Sequence, residues 1–253
     1  MMDEYLAGGR DNMIYRKDNC VFRPSGEWTR YVHTFLRYLY DNGFKKVPYP
    51  YVIDQEGIEC LSFVEGTIYN GLLPEEAKSD KALISVAENL REYHDIGHEY
   101  VKILCGNESW MLPMREPIET MCHGDFAPYN IALNGSEVVG IIDFDTLHPG
   151  PRLWDIAYAL YRWVPMMAPS NPENFGSEED KHRRLKLFLD SYEMYSCTDN
   201  REILKWIGDR LEFLINYMQE EAAKGNETFQ KHIEAGHLKQ YILDLEYIRA
   251  FNN

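Results

Sequence analysis

The most constraining stretch of this 253-residue chain is MCHGDFAPYNIALNGSEVVGIIDFD, residues 121–145. Asn134-Gly135 between IAL and VVGIID is a strong hairpin signal. It predicts a β-like island over 119–145 inside a region whose other segments have helical spacing. Polar residues crowd onto this island: His123, Asp125 and Asn130 lie in a turn between short strands, and Asp143 and Asp145 follow the hairpin. A catalytic site carried by the turns of a hairpin needs rigid elements around it, which limits the folds available.

The flanks predict what those elements are. Residues 12–23, NMIYRKDNCVFR, read as two antiparallel strands reversing at Lys17-Asp18-Asn19. Val32, Phe35, Leu36, Leu39 and Tyr40 then recur at helical spacing over 28–41, until Asn42-Gly43 supplies a stop. IECLSFV at 58–64 is a further strand. Downstream, Leu83, Val86, Ala87, Leu90 and Tyr93 share one face of a long helix, and amphipathic stretches follow near 153–164, 181–196, 200–223 and 227–250. Residues 165–180, with three prolines and four acids, read as a long exposed loop. The expected division is a β-rich lobe over 1–66 and a helical lobe over 67–253.

Charge and cysteine usage narrow the function classes. Lys and Arg number 26 against 41 Asp and Glu, a formal charge of -15. That charge disfavours nucleic acid and anionic membrane surfaces as partners and favours a cationic one. No apolar run approaches the roughly 20 residues of a bilayer span, and the start MMDEYLAGG lacks a signal-peptide pattern, so the expected location is cytoplasmic. Five scattered cysteines without a CxxC pair read as reduced core residues.

Phosphoryl transfer explains the residue types on the island. One carboxylate, Asp125, accepts the proton of a substrate hydroxyl, while the amide oxygen of Asn130 and the carboxylate of Asp143 hold Mg²⁺ against nucleotide phosphates. Asp145 either joins that metal or caps the next turn, and His148, beside Pro149-Gly150, reads as a turn residue. A metal hydrolase built from His123, Asp125, Asp143, Asp145 and His148 is the rival on the same residues, but it leaves Asn130 and the N-terminal strands without a role.

HGDFAPYN followed by IIDFD resembles the aminoglycoside phosphotransferase family, relatives of choline kinases with the protein-kinase-like fold, and within it a subgroup described as trifolitoxin-immunity-like phosphotransferases. GGRDNMIYR, GIECLSFVEG and PGPRLWDIAYALYRWVP extend the resemblance over nearly the whole chain. The resemblance implies a two-lobed α+β fold, ATP or GTP as co-substrate with Mg²⁺, and a small-molecule acceptor such as an aminoglycoside. It further implies that Gly8 and Gly9 turn over the phosphates, that Arg23 grips the α- and β-phosphates, and that Ser62, Phe63 and Val64 contact the base through their backbone. His123 would orient the catalytic loop and Asp155 would brace it.

The sequence departs from the family at two places. Arg23 stands where such kinases usually carry lysine, and the helix after it has no central glutamate, leaving Glu27 as the nearest candidate partner. These departures support a second expectation, a binding module acting in toxin or antibiotic immunity. The acids Glu178, Glu179, Asp180, Glu220 and Glu221 read as solvated faces that could also attract an amine-bearing acceptor. His94, Tyr158, Tyr161 and Trp163 read as core.

Overall fold

The computed structural model describes residues 4–6, 13–194 and 199–251. Its N-terminal part is a five-stranded antiparallel sheet, ordered β1(Glu4–Tyr5), β2(Tyr15–Lys17), β3(Cys20–Pro24), β5(Ile58–Ser62), β4(Pro50–Ile53). The β2–β3 reversal falls on Asp18 and Asn19, with Asp18 at φ 55, a left-handed conformation that Asp tolerates. Helix α1(Thr29–Asp41) buries Val32, Phe35, Leu36 and Leu39, the spacing read from the sequence. The edge strand β4 has exposed Tyr51 and Val52, so its pattern lacks the apolar alternation that marks a strand.

The remainder is mostly helical: α2(Glu75–Lys78), α3(Asp80–Val101), α4(Arg152–Trp163), α5(Glu178–Ser191), α6(Asn200–Ala223), α7(Glu227–Glu234) and α8(His237–Phe251). The expected single stretch at 227–250 is two helices, broken at Ala235-Gly236, where Gly236 takes φ 90. No described helix is long and apolar enough to cross a membrane.

Between α3 and α4 lies the β island. Strands β7(Ile131–Asn134) and β8(Glu137–Ile141) form the hairpin, turning through Gly135 at φ 61. Strand β6(Thr120–Cys122) pairs with β9(His148–Gly150). His148 is therefore a fully buried strand residue and not a turn residue; pairing with Cys122 holds it in the sheet.

Two further expectations are corrected. The segment 165–180 is not uniformly exposed: Met166, Met167, Ala168 and Asn171 are buried, and Glu178 already opens α5. The cysteines are not all core residues, since Cys105 is exposed and Cys20 and Cys60 are half-buried on neighbouring strands; Cys197 lies outside the described residues.

The sheet is joined to the hairpin by close contacts. Thr67 and Leu133 exchange two backbone hydrogen bonds of 2.8 and 2.9 Å. A Cβ on Gly140 would sit 2.0 Å from Val64 Cγ1, so the absence of a side chain there lets the connection lie directly on β8.

Candidate active site

The HGDFAPYN loop follows β6, and buried Asp155 on α4 fixes its start. That carboxylate accepts from the backbone N–H of His123 at 2.6 Å and of Gly124 at 2.8 Å. Fully buried His94 stands 3.1 Å from it. Burial pushes the Asp155 pKa upward, but these hydrogen bonds and the facing histidines bring it below the usual carboxylate range. His94 is thus a core histidine with a specific partner. Arg210 on α6 donates to Gly124 O at 2.7 Å, and a Cβ at Gly124 would meet Thr146 O at 2.5 Å. The loop is tied on both sides.

His123 turns inward. Its Nε2 donates to Ile142 O at 2.9 Å, and Asp125 N donates to its Nδ1 at 3.2 Å, which assigns the tautomer. One ring thereby links the loop to the strand exit that carries Asp143.

Asp125 is held at both oxygens. Tyr129 Oη donates to Oδ1 at 2.7 Å and Asn130 Nδ2 donates to Oδ2 at 2.9 Å. Burial raises the Asp125 pKa above the ordinary range, against the opposing effect of the Tyr129 hydroxyl. With its nitrogen committed to Asp125, Asn130 presents its amide oxygen as the remaining acceptor.

Asp143 adopts φ 61 and ψ 71, a sparsely populated backbone conformation at the exit of the hairpin. Its carboxylate is half exposed and accepts from Arg23 Nη1 at 2.9 Å. The same guanidinium reaches Asp145 from Nη2 at 3.2 Å and Glu59 from Nε at 2.6 Å. Burial works against the charge of Arg23, but Asp145, Asp143 and Glu59 outweigh it and hold the group protonated. Asp145 also accepts from the Trp28 indole at 3.1 Å. Its carboxylate is thus held by Arg23 on β3 and by Trp28 at the start of α1.

The partner of Arg23 is thus not Glu27. It is Glu59, directly opposite on β5, whose second oxygen lies 2.8 Å from His33 on α1. The connection from strand cation to helix is preserved with the carboxylate moved to the sheet and a histidine on the helix.

Arg23, Asp125, Tyr129, Asn130 and Asp143 open onto one cleft of about 1120 Å³. Val21, Arg23, Leu61 and the run Ser62, Phe63 and Val64 line one side, and Asp125, Asn130 and Asp143 lie at its base. The Ser62 and Phe63 amides already donate to Tyr49 O and Asn19 O. Of the three expected base contacts, only the Val64 N–H lacks a bond to another described residue. Gly8 and Gly9 lie outside the described residues.

The opposite side of the cleft was not legible in the sequence. Tyr129, Tyr161, Arg162, Glu173, Gln240 and Tyr241 line it, brought together from the loop, α4, the 165–177 segment and α8. Asp244 on α8 assembles this wall, accepting from Tyr161 Oη at 2.7 Å, Ala168 N at 2.9 Å and Asn171 Nδ2 at 2.8 Å. Tyr161 is core, as expected, but one part of it faces the cleft. Glu178, Glu179, Asp180, Glu220 and Glu221 do not line the cleft. The negative charge expected to draw in an acceptor therefore lies elsewhere on the surface, apart from Glu173.

Comparison with known proteins agrees with the resemblance read from the loop. Residues 107–188 match the model of the phosphotransferase enzyme family. The trifolitoxin immunity protein of Rhizobium leguminosarum bv. trifolii is 28% identical over 204 residues, 76% of this chain and 75% of that protein. An amicoumacin kinase solved with AMP-PNP and Ca²⁺ superposes with a TM-score of 0.63 at 14% identity, over 92% of this chain and 88% of the other. A spectinomycin phosphotransferase solved with ADP and spectinomycin gives 0.60 at 14% identity, over 98% and 92%. The fold is that of the protein-kinase-like phosphotransferases.

Proposed function

We propose that this chain transfers the γ-phosphoryl group of ATP or GTP to a hydroxyl of a small molecule, with residues 1–66 holding the nucleotide and 67–253 the catalytic loop and acceptor. The observation that carries the reading is the convergence of Arg23, Asp125, Asn130 and Asp143, from 120 residues of chain, on one cleft. Glu173 on the acceptor side suits an amine on the substrate. Use of a nucleoside triphosphate fits the cytoplasm.

In this reading Asp125 takes the acceptor proton. Tyr129 and Asn130 aim its two oxygens, and burial makes it a stronger base than a solvated aspartate. His123 and Asp155 position the loop without touching the reacting atoms. Arg23 supplies a fork of donors for phosphate oxygens. The Asn130 amide oxygen and the Asp143 carboxylate are hard oxygen donors on neighbouring turns, and a single guanidinium among Glu59, Asp143 and Asp145 leaves an excess of negative charge, so the residues present fit Mg²⁺. When bound, the ion neutralises charge on the phosphates.

A second reading has a specific observation in its favour, the similarity to a trifolitoxin immunity protein: the cleft binds nucleotide or a toxin without turnover. Thermal-shift scans with ATP and GTP, each with and without Mg²⁺, together with nucleotide consumption over an acceptor panel, separate the two. A Mg²⁺-dependent shift with turnover supports the kinase. A shift without turnover on any acceptor supports the binding module.

A further inference from the structure

The acceptor side of the cleft carries a buried charge that a site for polyamines has no use for. Arg162, in the last turn of α4, is 10% exposed, and its Nη2 lies 2.6 Å from Glu173 Oε2. Its guanidinium carbon stands 5.5 Å from the Tyr129 ring centre and 5.7 Å from that of Tyr161. The Nε is buried with no hydrogen-bond partner. A guanidinium has five N–H donors in a planar fork, and one carboxylate contact leaves most of that capacity unused. The Nε is closed off from the cleft, but Arg162 lines it, and among the described residues Glu173 is the one carboxylate on its fork, so the terminal N–H groups are the donors left to face a ligand.

Position ties this group to the reaction. Tyr129 links the two: its hydroxyl is on Asp125 and its ring faces Arg162. An acceptor whose hydroxyl meets Asp125 therefore brings its remaining atoms past that ring to Arg162 and Glu173. A guanidinium there recognises a carboxylate in the bidentate manner available to arginine. Glu173, one-third exposed, offers the complementary charge next to it.

We propose that the acceptor is a hydroxyl compound bearing both a carboxylate and an ammonium group, a hydroxy amino acid or a short peptide ending in one. The carboxylate sits on Arg162 and the ammonium on Glu173. This rests on the phosphotransferase reading above and names its substrate class. In the step, the acceptor oxygen bonds to the γ-phosphorus as the bond from that phosphorus to the β,γ-bridging oxygen breaks. The nucleoside diphosphate leaves, and the hydroxyl proton passes to Asp125 and then to solvent. Arg162 and Glu173 keep their charges throughout.

The test uses the full chain with Mg²⁺ and ATP or GTP, reading nucleotide consumption with L-serine, L-homoserine and Gly-Ser, against ethanolamine, glycerate, glucose and kanamycin. The expected result is a kcat/KM on at least one zwitterion about ten- to a hundredfold above those on ethanolamine and glycerate, the effect of a charge-assisted contact. Serine against Gly-Ser separates the free amino acid from the peptide. Arg162→Met should erase the advantage over ethanolamine, and the isosteric Glu173→Gln the advantage over glycerate, each acting on one comparison. Best turnover on kanamycin, glucose or ethanolamine overturns the proposal while leaving the kinase intact, as do variants that lower every acceptor equally. A nucleotide-induced thermal shift without turnover on the zwitterions also overturns it; no shift and no turnover at all overturns the phosphotransferase reading itself.

Discussion

Arg23 and Glu59 stand directly opposite each other on β3 and β5, with the guanidinium Nε 2.6 Å from a carboxylate that is 1% exposed. The pair sits at the centre of a chain of charges running from His33 on α1 through the sheet to Asp143 and Asp145 across the cleft. Glu59 is the most buried carboxylate of the set and meets both Arg23 and His33, so its removal takes a short buried contact from each while Asp143 and Asp145 still face Arg23. Glu59→Ala should therefore cost about 1–3 kcal/mol of stability in urea unfolding, the cost of buried donors losing their partner, and weaken nucleotide binding. An unchanged midpoint and slope would make the pairing incidental.

Asp125→Ala should lower kcat by at least about a hundredfold, the lower end of general-base assistance, with nucleotide affinity nearly unchanged. The base works only when deprotonated, and its pKa is raised by burial, so activity should fall on the acid side at a pH above the ordinary aspartate range. Tyr129→Phe removes the hydroxyl that favours the charged form and should move that limb to still higher pH. A pH profile of kcat/KM for the two proteins checks the sign.

Asp143→Asn should abolish the Mg²⁺ dependence of nucleotide binding, read as the difference in thermal shift with and without the ion. Retention of that difference would place the metal on other residues.

His148 is buried, and desolvation lowers its pKa to about 4 from 6.5. The unfolded chain therefore binds a proton that the native state refuses between those values, and stability falls as the pH drops from about 6.5 toward 4. The loss amounts to roughly 3 kcal/mol. His148→Gln should flatten this part of the curve of unfolding free energy against pH.

Gly140→Ala should force Val64 off β8, because the added methyl would lie 2.0 Å from its Cγ1. The expected result is a lower unfolding midpoint together with weaker nucleotide binding, since Val64 lines the cleft. Gly43→Ala, where nothing lies within 4 Å but φ is +91, unlike Gly140, separates backbone strain from close approach: it should lower the midpoint and leave nucleotide binding unchanged.

The candidate site was legible because HGDFAPYN and IIDFD concentrate its polar residues in 23 positions, and the helices because their apolar faces recur every three or four positions. Glu59 was missed although a signal existed. In IECLS it alternates onto the same face as Leu61, and both are buried. A carboxylate on an inward face asks for a partner, but only the pairing register of strands 36 residues apart names Arg23. His148 was misread because Pro149-Gly150 imitates a turn, while its pairing with β6 is non-local. Arg162, Glu173 and Tyr241 had no local signature, since their meeting depends on how α4, α8 and the segment between α4 and α5 pack.

The buried carboxylate of Asp244 gives the acceptor wall a place in time as well as in space. It secures Tyr161, Ala168 and Asn171, all 73 or more residues earlier in the chain. Chains fold from the N-terminus as they leave the ribosome. The sheet, the hairpin and the HGDFAPYN loop are therefore all synthesised before the wall can be fastened. A chain stopped before residue 244 has every residue of the sheet, the hairpin and the loop but lacks the carboxylate that fastens this wall.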